Sequence, residues 1–248
     1  MIQKKDLKVC KKEIIINQET ISQNGEDIFI REILNTIGIK KGIIVDVGSW
    51  DGWHLSNVAL LLRDGFGGVL IEGDKSKINK SKERWKDRND IYHFEQFVDL
   101  EENSLNLILD SVSIPHNFEV LNIDIDSFDF WIWKSIKYKP KIVCIEYNGH
   151  RVDYDVTIPY NLNWQYNSNS DNYGASPKSL FRLGKHKGYD LVSISKHNLI
   201  FCDVEYSHMF ETFSKISPSW IKNTFDVRPW GHRKKMPDNH FVFNPEVK

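Results

Sequence analysis

Apolar and polar positions alternate in blocks along most of the chain, and the blocks change period. Residues 22–37, "SQNGEDIFIREILNTI", place Ile28, Phe29, Ile33, Leu34 and Ile37 on one helical face, with Ser22 or Asn24 positioned as a cap. Short continuous apolar runs then read as buried strands: "GIIVDVG", "GGVLIEGD", "IYHFEQFV", "VLNIDID" and "KIVCIEYN". Helical segments fall between them at "LSNVALLLRD", which Gly65 ends, at "SKINKSKERWKDR" and at "FDFWIWKSI", and a further helix follows near 176–187. Two closing strands, "YDLVSIS" and "NLIFCDV", are separated only by a few residues around Lys196 and His197, which is hairpin spacing.

This alternation predicts an α/β fold of Rossmann-like character. A mostly parallel seven-stranded sheet ends in an antiparallel edge hairpin, with helices on both faces. Residues 148–175 read as one long polar and aromatic loop, a length that suits a lid or binding loop. The organisation predicted is an amino-terminal arm (1–20), one domain (21–206) and a Trp-rich carboxyl-terminal extension (207–248) packed on it. The extension shows no clear periodicity. Arm and tail leave open whether they fold back or wrap a second copy in a homodimer.

Composition narrows the function classes. With 248 residues, 40% hydrophobic and 27% charged, the chain has an ordinary globular balance. A formal net charge of -1 gives no global field for nucleic acid or an anionic membrane. Cys10, Cys144 and Cys202 form no pair at metal or redox spacing and read as reduced thiols. The start "MIQKKDLKVCKKEIII" has too short an apolar run for a signal peptide or a membrane span, so a cytoplasmic protein without membrane insertion is expected.

The candidate chemistry lies where strands end. In open parallel sheets, ligands sit outside the carboxyl ends of the strands. The first strand runs into "DVGSWDG", whose glycines allow close backbone approach and whose following helix offers free N–H groups. The pattern is not G-x-G-x-x-G, and Asp46 and Asp51 would repel a pyrophosphate. Two acids suit a ligand with a positive amine or sulfonium and hydroxyls. Glu72 ends the second strand 24 residues after Gly48, where an acid commonly grips ribose hydroxyls. A solvated strand-end acid is the alternative for Glu72.

At the ends of strands four and five the sequence sets Asp124 and Asp126, two apart and so on one strand face, and then Glu146 and Asn148 in the same relation. Asp124, Glu146 and Asn148 form a candidate oxygen site for Mg²⁺ or Mn²⁺. Equally, these groups bind loop backbone and helix N-termini, or orient a substrate without metal. The general base is left open among Asp124, Glu146, His150 and His54. Asp129 and the run Phe130, Trp131, Trp133 read as a helix start packed on the sheet. In the long loop, Tyr154, Tyr160, Trp164, Tyr166 and Tyr173 either stack on a ligand or anchor the loop. Arg228, His232, Arg233, Lys234 and Lys235 either meet a phosphate or form a solvated face.

Taken in order and spacing, "SQNGEDIFI", "VDVGSWDGWHLSN", "VLIEGD", "LNIDIDSFDFWIW", "PKIVCIEYN", "YGAS" and "GYDLVSISKHNLIFC" resemble FkbM-like, class I S-adenosylmethionine-dependent methyltransferases. The branch they resemble more narrowly is that of bacterial surface-polysaccharide gene clusters. The resemblance spans roughly residues 20–205. It implies that Asp46, Gly48 and Ser49 hold the methionine part of S-adenosylmethionine, with Asp51, Ser56 and Asn57 completing that pocket. Glu72 would bind the ribose, with Gly73 and Asp74 flanking the adenosine and Phe97 and Val98 covering the adenine. Gln23 and Asp27 would close over the cofactor. Ser49-Trp50 departs from the small residues usual after the glycine. The resemblance implies a sugar or nucleotide-linked sugar as acceptor. Competing readings are a non-sugar acceptor, a nicotinamide oxidoreductase, disfavoured by the missing G-x-G-x-x-G and Tyr-x-x-x-Lys patterns, and a non-catalytic scaffold.

Overall fold

The computed structural model describes residues 19–224 and 235–247. Helix α1 (Glu26–Thr36) precedes an alternation of β1 (Ile43–Val47), α2 (Ala59–Arg63), β2 (Gly67–Glu72), α3 (Lys75–Arg84), β3 (Ile91–Glu95), α4 (Leu105–Val112), β4 (Val120–Ile123), α5 (Asp129–Ser135) and β5 (Ile142–Glu146). After a short strand β6 (Val156–Thr157) come α6 (Pro177–His186), β7 (Tyr189–Ile194), β8 (Asn198–Asp203), α7 (Val204–Ser207), α8 (Pro218–Thr224) and β9 (Val242–Phe243).

Seven strands form one sheet in the order β3-β2-β1-β4-β5-β8-β7. The pairs among β1 to β5 are parallel, while β8 runs antiparallel to both β5 and β7. The antiparallel strand therefore lies one in from the edge, with its hairpin partner β7 outside it. The order reverses between β1 and β4, which makes a crevice at their carboxyl ends.

Strand periodicity divides the core. Val45, Val47, Val69, Ile71, Leu121 and Ile123 pack on one face, with Leu105, Ile108 and Leu109 of α4 and Phe130 and Trp133 of α5. Ile44, Leu70, Val120 and Cys144 pack on the other, against Phe29, Ile30 and Ile33 of α1 and Leu61 and Leu62. Covered on both faces, the inner strands β1, β2, β4, β5 and β8 are buried along nearly their whole length rather than alternately.

Several expectations are corrected. Helix α1 is entered through Gly25 in the left-handed region (φ 84), which supplies no side-chain cap, while the Ser22 hydroxyl accepts the first-turn N–H of Asp27 at 3.3 Å. Helix α2 starts only at Ala59, because Leu55 is left-handed and bridges Ser22, and the Ser56 hydroxyl accepts the N–H of Val58 and of Ala59. Helix α4 was not predicted, although Leu105, Ile108 and Leu109 carry helical spacing. Strand β4 stops at Ile123 and Asp126 is left-handed (φ 56), so Asp124 and Asp126 are not on one strand face.

The long loop and the tail also contain paired structure. β6 pairs antiparallel with β9. Arg151, 1% exposed, pairs with Asp171 at 3.0 Å and Asp238 at 3.2 Å and donates to the Met236 carbonyl at 2.6 Å. Cys144 and Cys202 are both buried. Cys10, Arg228, His232, Arg233 and Lys234 lie outside the described residues. No helix among the described residues is long and apolar enough to cross a membrane.

Candidate functional site

A cleft of about 860 Å³ opens at the switch point. Of the residues singled out in the sequence, it brings together Gln23, Asp46, Gly48, Ser49, His54, Ser56, Asn57, Glu72, Gly73, Phe97, Val98 and Asp124. Asp126, Trp164 and Tyr166, also singled out in the sequence, line it too, and the fold adds Trp50, Lys77, Gln96, Asp99, Asn122, Phe128 and Leu162.

The glycine turn is fixed by backbone. The N–H groups of Gly48 and Ser49 both donate to the Ile71 carbonyl, at 3.0 and 3.1 Å. Gly48 has φ +87, and a Cβ there would collide with the Asp124 carbonyl oxygen. Only glycine satisfies both constraints. The turn leaves the Ser49 hydroxyl without a hydrogen-bond partner on a residue 3% exposed.

Asp46 is 2% exposed and accepts the Asn122 side-chain amide at 2.8 Å. Asn57 donates in turn to Asn122 Oδ1 at 3.1 Å. Burial pushes the Asp46 carboxyl up to about 6, against the Asn122 bond, and the Glu72 charge adds to the rise. Glu72 joins the ends of β1 and β2: its two oxygens accept the N–H of Trp50 at 3.0 Å and of Asp74 at 2.8 Å. Each oxygen keeps a second lone pair for a ligand hydroxyl. The Phe97 ring, 78% exposed, lies over Gly73 so closely that a Cβ there would strike it. Beside it, Gln96 Oε1 is buried without a partner.

Asp124 and Asp126 line the cleft; Asp129 and Glu146 do not, but interact with them electrostatically. Burial raises Asp124 well above the usual carboxylate range, followed by the charges of Asp126, Asp129, Asp46 and Glu26. Glu146 is raised well above its range by burial, then by Asp126, Asp124 and Asp129, and it is hydrogen-bonded to Asp126. Asp129 is pushed up to about 6 by burial, although its carboxylate accepts the N–H of Ile125 and Ser127. Asp126 thus stands between the cleft and Glu146.

Other residues singled out in the sequence do not line the cleft. Asp27 accepts from the Thr20 and Ser22 hydroxyls and the Ile21 N–H, so its carboxylate is held by the segment ahead of α1. Asp51 accepts the N–H of Trp53 and His54. Asp74 caps α3 through the N–H of Ser76 and Lys77. Asn148 donates to the carbonyls of Asp171 and Tyr173 and accepts the His150 N–H, which commits the amide to loop backbone rather than to a metal. His150 sits edge-on to Tyr173, with ring centroids 6.0 Å apart. No group of three or more His, Cys, Asp or Glu side chains among the described residues is arranged to hold a metal ion.

The loop aromatics divide by role. Trp164 and Tyr166 line the cleft. The Tyr160 hydroxyl accepts the Leu100 N–H and its ring packs on Phe128, while Tyr154 packs against Val156, Ile158 and Phe241. Tyr173 is buried. Lys235 donates to the Tyr154 hydroxyl.

The chain matches no protein-family model and no curated protein. Solved structures do align with it. A S-adenosylmethionine-dependent methyltransferase from Clostridium acetobutylicum is 9% identical over 77% of this chain and 95% of that one, with a TM-score of 0.44. The N-terminal domain of EvdMO1 with SAH bound is 13% identical over 73% and 81%, with a TM-score of 0.47. A dimethyladenosine transferase from Plasmodium falciparum is 15% identical over 52% of this chain but spans only 43% of its own length, with a TM-score of 0.35. The likeness is one of fold.

Proposed function

We propose that this chain is a S-adenosylmethionine-dependent O-methyltransferase. Its acceptor is a hydroxyl of a sugar or sugar-derived intermediate in surface, capsular polysaccharide assembly. The observation that carries the cofactor assignment is the Glu72 carboxylate at the mouth of β2, tied to the glycine turn through the Trp50 N–H and facing the same cleft as Asp46. Two acids there favour a sulfonium, an amine and ribose hydroxyls over a pyrophosphate. The orphaned Ser49 hydroxyl and Gln96 oxygen supply hydrogen-bonding capacity that the protein leaves unused. Gly48, Ser49, Asp46 and Asn57 would hold the methionine part, Glu72 the ribose, and Gly73, Gln96, Phe97 and Val98 the adenine.

The bound cofactor supplies an electrophilic methyl group and its own leaving group. The chain's share is to position the acceptor and take its proton. Asp124 borders the cleft with a raised pKa, which suits a carboxylate that must accept a proton from a weakly acidic alcohol. The sugar and polysaccharide assignment rests on the sequence resemblance to the FkbM-like branch. A polyketide-type hydroxyl, an amine or a phosphoryl oxygen is the alternative acceptor.

Calorimetric titration with S-adenosylhomocysteine, run beside NAD(H), tests the assignment. S-adenosylhomocysteine should bind and NAD(H) should not, and Glu72→Ala should weaken the former by about tenfold or more. Folded protein that binds no S-adenosylhomocysteine overturns the methyltransferase reading.

A further inference from the structure

The turn that leaves β1 carries a large ring on an unfavourable backbone. Trp50 has φ +50, in the left-handed region that bulky residues rarely enter. Its neighbours hold it there. The Trp50 N–H donates to Glu72 Oε2 at 3.0 Å, the Gly52 N–H to the Ser49 carbonyl at 2.8 Å, and Trp85 Nε1 to the Gly52 carbonyl at 3.3 Å. Strain of this kind persists where surrounding bonds over-determine it, and it clusters at ligand clamps.

The ring itself is left half in solvent. Trp50 is 48% exposed and lines the cleft together with Glu72, Gly73 and Phe97. Lys77, from the first turn of α3, sets its ammonium 3.2 Å from the indole centre, and the His54 ring lies 6.2 Å away. A cation over one face fixes an aromatic ring without burying it. Phe97 is exposed as well and stands over Gly73. Two open rings therefore stand next to the Glu72 carboxylate. One is tied to it through its own N–H, and the other lies over the residue that follows it. Open aromatic surface in a cleft, beside a group that accepts hydroxyls, suits a ligand with a flat base and a sugar.

Building on the methyltransferase reading, we propose that Trp50 is a cofactor-binding residue whose indole covers the ribose held by Glu72, and that Lys77 is the positioning residue that keeps the indole there. With Phe97 over the adenine, the nucleoside is gripped by a ring at each end. The left-handed backbone at position 50 serves both tasks: the N–H aims the carboxylate, and the side chain of the same residue closes over the hydroxyls it binds. Binding buries the open face of the indole, which stabilises the complex. Trp164 and Tyr166 of the long loop are left to the acceptor.

The test uses the full chain, whose S-adenosylhomocysteine affinity is first measured by calorimetry. Trp50→Asn keeps the N–H to Glu72, and asparagine tolerates the left-handed backbone at this position. Its unliganded melting temperature should stay close to the parent's, while its dissociation constant should rise at least about tenfold. Trp50→Phe keeps a ring and should bind within about threefold of the parent. In the parent, saturation with S-adenosylhomocysteine should shield tryptophan fluorescence from acrylamide, and that shielding should be largely lost in Trp50→Phe. Lys77→Met should weaken binding by about threefold or more, and Lys77→Arg should restore it. Unchanged affinity in Trp50→Asn, or shielding that persists undiminished in Trp50→Phe, overturns the proposal. Lys77→Met equal to the parent overturns the role given to Lys77. If Trp50→Asn does not fold, the quenching of Trp50→Phe decides alone. A folded parent that binds no S-adenosylhomocysteine would instead overturn the underlying methyltransferase reading.

Discussion

Asn122 and Asp46 face each other across adjacent parallel strands, and the Asn122 amide donates to the Asp46 carboxylate at 2.8 Å on the floor of the cleft. The pairing places a nearly inaccessible acid at the switch point with one neutral donor, and burial outweighs that donor. The Asp46 carboxyl rises from 3.8 to about 6. Because the folded-state value is the higher one, the folded protein holds this proton more tightly than the unfolded chain. The associated stability is present in full below the unfolded value and is lost as pH rises through about 6. The size is about 3 kcal/mol for one group. Asp46→Asn should therefore be more stable than the parent at pH 8 by ~1–3 kcal/mol, and no more stable below pH 4. Urea denaturation at both pH values checks this.

The same carboxyl sets a second pH dependence. If ionised Asp46 holds the cofactor's amine, S-adenosylhomocysteine affinity falls as pH drops through about 6. Asp46→Asn should bind weakly at every pH and show no step there. Calorimetry from pH 5 to 8 separates these outcomes. A step that persists in the variant would assign the titration to another group.

Gly48 has no substitute. Alanine would add strain at φ +87 and a clash with the Asp124 carbonyl, in a turn whose N–H groups are fixed on Ile71. Gly48→Ala should cost ~2–4 kcal/mol of stability, and it should abolish S-adenosylhomocysteine binding even where the protein stays folded. Thermal melts with and without ligand report both effects. A variant whose melting temperature still rises with ligand would count against the turn as the binding element.

Much of this arrangement could be read from the sequence because the signals are local. Apolar runs of strand length, and Gly48 and Gly52 close after Asp46, mark β1 and its turn without knowledge of any partner. Glu72 follows because its strand pairs with β1. The signals that misled were also local but ambiguous. Asp74 before "KSKIN" and Asp51 before "GWH" are spaced to cap backbone N–H groups, and that is what they do. Sequence cannot tell a carboxylate facing a ligand from one facing an amide two residues on. Asn122 and Gln96 gain meaning only through the register of β4 with β1 and of β3 with β2. The pairing of β6 with β9 joins segments more than eighty residues apart, each two residues long, too short for any periodicity to show.

Arg151 fastens those segments, and its loss should be felt at a distance. Its guanidinium is buried against the Phe241 ring, 4.0 Å from the ring centre, while it pairs with Asp171 and Asp238 and binds the Met236 carbonyl. Removing one partner of a buried ion pair leaves the other charge uncompensated, a cost of about 3–5 kcal/mol. Asp171, 3% exposed, would be that stranded charge in Arg151→Met. The seven-stranded sheet makes none of these contacts, so the variant should keep its S-adenosylhomocysteine affinity while the segment from Met236 to Phe243 becomes open to proteolysis. The long loop shares this anchor through Asp171, so Trp164 and Tyr166 should lose their fixed position and acceptor binding should weaken. Hydrogen exchange should show faster amides in residues 148–175 and 236–243, with β1 and β4 unchanged. Uniform loss of protection across the sheet would mean that the anchor supports the whole domain rather than the acceptor side of the cleft.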